Sequence, residues 1–270
     1  MKQRIITGVV LFLIIVPCVI VGGLPWMAFM ALISVFAAYE LLHITNHPEA
    51  SKYMYPLMGA FILGSVFYGG KLMIESSLVV LYLAVLLTCG IFDERMPMLR
   101  MGYYFLSAVL TAMGLHMIYY MRAELGLSYV LMLAGATLGA DTGAYFFGRA
   151  FGKHKLNERL SPKKTIEGSL GGTLVGSILG IILGIALGVD VPVWFLVILC
   201  LVLSTTGQIG DLSYSSIKRT FEVKDYSRLL PGHGGVLDRF DSIIFNAMVL
   251  GLMLSAYQAL MLAYVGVIIL

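Results

Sequence analysis

The sequence predicts an all-α, polytopic integral membrane protein, and three observations carry that expectation. Mean hydropathy is +0.92. Of the 270 residues, 59% are apolar and 12% charged, about half the charge of an ordinary soluble domain. Apolar stretches of about 17–25 residues, the length a helix needs to cross ~30 Å of hydrocarbon, recur along the whole chain. We count nine, at 4–22, 25–44, 54–70, 74–92, 102–121, 127–148, 168–188, 191–213 and 241–268. The ninth is long enough to be kinked or split.

The first run follows Lys2 and Arg4 but lacks a small-x-small cleavage site in a polar setting, so it reads as a retained span rather than a leader. With the N-terminus cytoplasmic, sixteen of the eighteen Lys and Arg residues fall in inside segments, and Lys71 and Arg122 fall outside. That positive-inside bias places the C-terminus outside and agrees with an odd number of spans. The net charge of +3 is therefore a topology signal. No basic helix or aromatic–basic platform supports nucleic-acid binding. Cys18, Cys89 and Cys200 sit in apolar spans without paired spacing and read as packing residues, indicating neither a disulfide nor a zinc site.

Residues 1–127 read as a transmembrane scaffold. Glu40, with Tyr39 and His43 near the inner end of the second span, reads as a snorkelling interface residue. His116 reads as a packing residue and Asp93-Glu94-Arg95 as a solvated turn. Residues 128–270 read as the catalytic region, with cytoplasmic loops at 149–167 and 214–240.

Polar residues inside spans begin in that second region. The sixth span carries Gly135, Gly139 and Gly143 on one face, and Thr137, Asp141, Tyr145 and Arg149 on another. An Asp within a span faces a polar cavity or a partner. In the following loop, Ser161-Pro162 has the pattern of a helix N-cap and first helical residue. That would put Lys163, Lys164 and Thr165 in a first turn, where an anion is favoured. The seventh span repeats glycine at 172, 176, 180, 184 and 188, a seam that packs a helix tightly either within the subunit or across a dimer.

In the eighth span Ser204, Gln208, Asp211, Ser215 and Lys218 share one helix face, a stripe about 21 Å long. Such a stripe is expected to line a polar cavity open to the cytoplasm. Asp238 and Asp241 share a face at the start of the ninth span and, with Asp211, offer oxygen ligands to Mg²⁺. A structural ion network with Arg219 and Arg239 is the other reading of these carboxylates. Between the last two spans, 215–241 holds five basic and four carboxyl residues and the loop P-G-H-G-G. Lys218, Arg219, Lys224, Arg228 and Arg239 suit a polyanion, and the glycines allow backbone N–H groups to approach phosphate oxygens.

This run resembles the signature of the phosphatidate cytidylyltransferases, or CDP-diacylglycerol synthases. Ser215, Ile217, Lys218, Arg219, Lys224, Asp225, Ser227, Leu230, Pro231, His233, Gly234, Gly235, Asp238, Arg239 and Asp241 meet every fixed position of that pattern. The segments S-P-K-K-T-I-E-G and D-T-G-A-Y-F-x-G are similar to the family too. The resemblance spans about residues 130–245. It implies transfer of the cytidylyl group of CTP to phosphatidate, with Mg²⁺ and with K⁺ as a second cation, at a cytoplasmic site in the plasma membrane. Asp211 and Asp238 are the first expected metal ligands, and Asp241 and Asp141 the next. Lys164, Lys218, Arg219, Lys224 and Arg239 would neutralise phosphates. Ser161 and Thr165 would donate hydrogen bonds, and His233, Gly234 and Gly235 would contact substrate. The glycine seam and the family together suggest a homodimer. A CTP-dependent kinase of polyprenol or phytol type is the nearer rival, and an ion-coupled transporter using Asp141 and Asp211 the farther one.

Overall fold

In the computed structural model, residues 2–45, 52–68 and 72–269 are described, without the side chains of Lys2, Arg4 and 265–269. Lys71 and the end of the third predicted span lie outside those residues. The helices are α1 (Lys2–Val21), α2 (Gly23–His43), α3 (Met54–Phe67), α4 (Ser76–Phe92), α5 (Met98–Tyr120), α6 (Leu127–Phe151), α7 (Ile166–Ala186), α8 (Val193–Thr220) and α9 (Leu237–Ile269). One helix answers each predicted span, and α9 is a single element. Among the described residues, six helical segments are long and apolar enough to cross a membrane: Gly23–His43, Met98–Leu125, Leu127–Phe151, Ile166–Ala186, Val193–Thr220 and Leu237–Tyr264. The apolar helices Ile5–Val21, Met54–Phe67 and Ser76–Phe92 are shorter. Among the described residues the molecule is an all-α membrane protein with one exception.

That exception is an antiparallel hairpin between α6 and α7, β1 (Lys155–Asn157) and β2 (Ser161–Thr165). It corrects the expectation that Ser161 caps a helix and that Lys163 and Lys164 lie in its first turn. In a two-stranded hairpin every strand is an edge, where Pro162 needs no ladder N–H. The cap is Thr165, whose Oγ1 accepts from the Gly168 N–H at 3.1 Å. A second correction concerns the cytoplasmic loop expected at 214–240. Helix α8 continues through Thr220 and α9 starts at Leu237, so the connection is 221–236.

Helices α2, α3 and α5 interlock through large side chains, with Met30, Leu41, Leu42, Met54, Met58, Ile62 and Leu115 fully buried. Helices α6 and α7 meet differently. A Cβ at Gly172 would press on the Ala140 carbonyl at 2.5 Å, and one at Gly180 on Cys200 Sγ of α8 at 3.0 Å. Gly176 approaches the Ala136 carbonyl and Ser204, and Gly184 approaches Leu196. From Gly172 to Gly184 the seam is therefore filled inside the subunit by α6 and α8, while Gly188 lies past the end of α7 and is open. Asn246 of α9, fully buried, ties three helices together. It donates to Thr137 Oγ1 and accepts from Thr206 Oγ1, both at 2.8 Å.

Candidate active site

The polar stripe of α8 divides into two parts. Gln208 Nε2 donates to the Ser169 carbonyl at 3.1 Å and to Thr173 Oγ1 at 3.2 Å, and Ser204 faces Gly176, so this part joins α8 to α7. Gln208 also lines a cavity of about 330 Å³, so it is the Ser204 end that departs from the expectation of a stripe lining one cavity along its whole length. From Asp211 onward the stripe serves the main cavity. Asp211 Oδ1 accepts from Ser215 Oγ at 3.3 Å, and Lys164 Nζ, delivered by β2, lies 2.6 Å from Asp211 Oδ2. That lysine pairs by charge without hydrogen-bond alignment, and its buried Nζ has no hydrogen-bond partner among the described residues.

Asp238, in the first turn of α9, is the most paired of the cavity carboxylates. Its side chain is 2% exposed, and Lys218 Nζ lies 2.6 Å from its Oδ1. Its Oδ2 accepts from the Tyr226 and Gly235 N–H groups, each at 2.8 Å. The same ammonium lies 5.4 Å from the centre of the Tyr226 ring, a cation–π contact. Burial pushes the Tyr226 phenol well above its usual range, so it stays neutral and donates to the Tyr214 carbonyl at 3.3 Å. The ion partner of Asp238 is thus Lys218, not Arg219 or Arg239. Arg219 instead donates to the Val223 carbonyl at 2.7 Å. The Gly235 N–H, expected to face a phosphate, is committed to Asp238.

Asp141, Asp211, Asp238 and Asp241 come together on a cavity of about 540 Å³, with Lys218, Arg219, Lys224 and Arg239 also on its wall. Asp241 Oδ1 accepts from its neighbour, the Ser242 N–H, at 2.7 Å. A second cavity of about 330 Å³, holding Arg149, Lys163, Lys164 and Thr165, shares Asp141 with the first. Lys224 and Asp225 connect the first to a third of about 560 Å³ beside Tyr39 and His43. Ser161, His233, Gly234 and Gly235 line none of the three. The His233 ring packs near Gly8 of α1, and its buried Nδ1 has no hydrogen-bond partner among the described residues. Gly234 has φ +83°, a conformation that suits glycine.

Among the described residues, no group of three or more His, Cys, Asp or Glu side chains could by itself hold a metal ion. Mg²⁺ does not require one. It is usually bound through one or two carboxylates, with water and substrate phosphates supplying the other oxygens. Asp211 and Asp238 each pair with a lysine ammonium at 2.6 Å, and the carboxylates on this cavity are oxygen donors of the kind Mg²⁺ takes.

One residue of this region was misread from sequence. Glu40 is fully buried in α2 rather than snorkelling, and it bonds Ser227, Val236 and Leu237. The available signal was its place as the one carboxylate within helices α1–α5. An ionisable group inside a span is expected to have a specific partner.

Residues 2–257 match the cytidylyltransferase family. Proteins named phosphatidate cytidylyltransferase from Staphylococcus saprophyticus and Staphylococcus aureus are each 34% identical over 258 residues, covering 94% of this chain and 99% of the relative. One from Staphylococcus epidermidis is 35% identical over 265 residues with the same coverage. The chain belongs to the cytidylyltransferase family.

Proposed function

We propose that this member of the cytidylyltransferase family transfers the cytidylyl group of CTP to phosphatidate, giving CDP-diacylglycerol and pyrophosphate. The observation that carries the reading is that the signature run folds back on α6 and α8. Five carboxylates, Asp225 with the four named above, and four cationic side chains thereby meet on one cavity. A phosphate oxygen of phosphatidate attacks the α-phosphorus of CTP, the bond to the β-phosphate oxygen breaks, and pyrophosphate leaves. The attacking oxygen is already anionic near neutral pH, so no strong general base is needed. The demand is to bring two anions together and stabilise the charge that leaves.

Lys218, Lys224, Arg219 and Arg239 supply positive charge on the wall of the main cavity, and Lys164 supplies it from β2. Thr165 and the first turn of α7 add donors beside it. In this reading Asp211 and Asp238 would hold Mg²⁺, with Asp241 and Asp141 next to them, and the ion would supply positive charge to stabilise the leaving pyrophosphate. A K⁺ ion beside it is part of the same proposal. His233, Gly234 and Gly235 act through the shape of the loop, since they do not line the cavity.

The same reading has nine spans, an N-terminus and active site on the cytoplasmic side, and residence in the plasma membrane. The distribution of Lys and Arg supports it. A homodimer would form through a face other than the filled 172–184 part of the α7 seam. The test is purified protein given phosphatidate, Mg²⁺ and CTP labelled at the α or the γ phosphate. Label from the α position should enter the lipid, with release of pyrophosphate. Label from the γ position entering it would establish a lipid kinase instead.

A further inference from the structure

Glu40 and Asp238 grip the same junction from opposite sides. From α2, Glu40 Oε1 accepts from the Ser227 hydroxyl at 2.6 Å and the Val236 N–H at 2.7 Å. Its Oε2 accepts from the Leu237 N–H at 2.8 Å. All three partners are donors, the set that an ionised carboxylate takes. Leu237 opens α9, where the helix dipole favours negative charge. The fit is close: a Cβ on Gly235 would collide with the Glu40 carboxylate. From the cavity, Asp238 Oδ2 binds the Tyr226 and Gly235 N–H groups. Both carboxylates thus tie residues 226–227 to residues 235–237. Between these ends the loop closes on itself through Leu230 N–H to Gly234 O at 2.9 Å and His233 N–H to Leu230 O at 2.8 Å.

The two carboxylates differ in what else they face. Asp238 faces the cavity and a lysine, whereas Glu40 is fully buried. Were Asp238 the sole clasp, drawing its oxygens toward a cation would free two N–H groups in a buried place. The start of α9, with Asp241 one turn on, would then be free to shift. We infer that Glu40 is a positioning residue for the reaction: it keeps the 226–237 junction closed so that Asp238 can turn to a divalent cation. The inference rests on reading Asp238 as a metal ligand.

The experiment uses full-length protein in nanodiscs and compares wild type with Glu40→Gln and Ser227→Ala. Glu40→Gln keeps the shape but sets an amide against three donors, whereas Ser227→Ala removes a single bond. Mn²⁺ binding followed by electron paramagnetic resonance, and the Mg²⁺ dependence of turnover, should both weaken about tenfold in Glu40→Gln. That is the factor for losing one charge-assisted hydrogen bond at its weaker limit. Ser227→Ala should show a smaller change of the same sign. Hydrogen exchange at the Val236 and Leu237 amides should quicken in Glu40→Gln while exchange in α6 and α7 is unchanged. Wild-type Mn²⁺ affinity and Mg²⁺ dependence in both variants would overturn the inference. If Glu40→Gln does not fold, Ser227→Ala decides alone: a weakened Mn²⁺ affinity supports the inference and an unchanged one overturns it. Absence of a nucleotide-bearing lipid from the wild type would instead strike the proposed function, and Mn²⁺ binding would still report on Glu40.

Discussion

Helices α2, α3 and α5 are held together by bulk, and helices α6, α7 and α8 by closeness. In the first group Met, Leu and aromatic side chains interleave, and α3 meets α4 through Phe61 and Tyr82, stacked with centroids 4.1 Å apart. In the second, glycines let one backbone rest on the next, and side-chain hydrogen bonds from Gln208 and Asn246 join the helices. Apolar side chains gain nothing by leaving lipid for one another, so association in a bilayer depends on packing contact and interhelical hydrogen bonds. A charged cavity adds a further demand, since its carboxylates and lysines must be fixed in place. The closely packed group carries Asp141 and Asp211, while the bulky group contributes Glu40, a single buried carboxylate.

The largest test of that division is Asp211→Asn, which should cut turnover by about 10²–10³-fold or more while the protein stays folded. Near-normal rates across a Mg²⁺ titration would remove Asp211 from the metal site. Next in size is the seam. Gly176→Val forces side-chain atoms against the Ala136 carbonyl and Ser204 and should cost about 1–3 kcal/mol, against less than about 1.5 for Met58→Leu in the bulky group. Thermal unfolding in detergent compares the two, and equal tolerance would erase the contrast. Asn246→Ala removes the bridge between Thr137 and Thr206 and should cost about 0.6–1.7 kcal/mol, the range for hydrogen bonds within membranes. The smallest effect belongs to Tyr53→Phe. The Tyr53 hydroxyl donates to Asp93 at 2.8 Å and, with the Arg95 N–H, holds that exposed carboxyl below its ordinary range. Stability from this bond is present above the ordinary carboxylate range and is lost as pH falls through the lowered value. The variant should therefore be fully active, and its small stability difference from wild type should vanish in acid.

Glu40 and the glycine seam show where sequence reasoning stops. The spacing of Gly172, Gly176, Gly180 and Gly184 announced close helix packing, but spacing along one helix does not say which neighbour fills the groove. Glu40 lay beside Tyr39 and His43 near the end of an apolar run, a pattern that snorkelling also produces. Its true partners are 187–197 positions away. Ser161-Pro162 matched a helix start because a cap and an edge strand share those residue types locally.

Membrane class, the nine apolar runs and the collection of residues around 211–241 were determined by the sequence alone, because hydropathy and helical spacing act over a few neighbouring positions. Which lysine meets which aspartate, which helices fill the glycine seam and which carboxylate clasps the loop were decided by the tertiary structure. Those are contacts between distant segments, and the burial that gives them their strength exists only once the helices have packed.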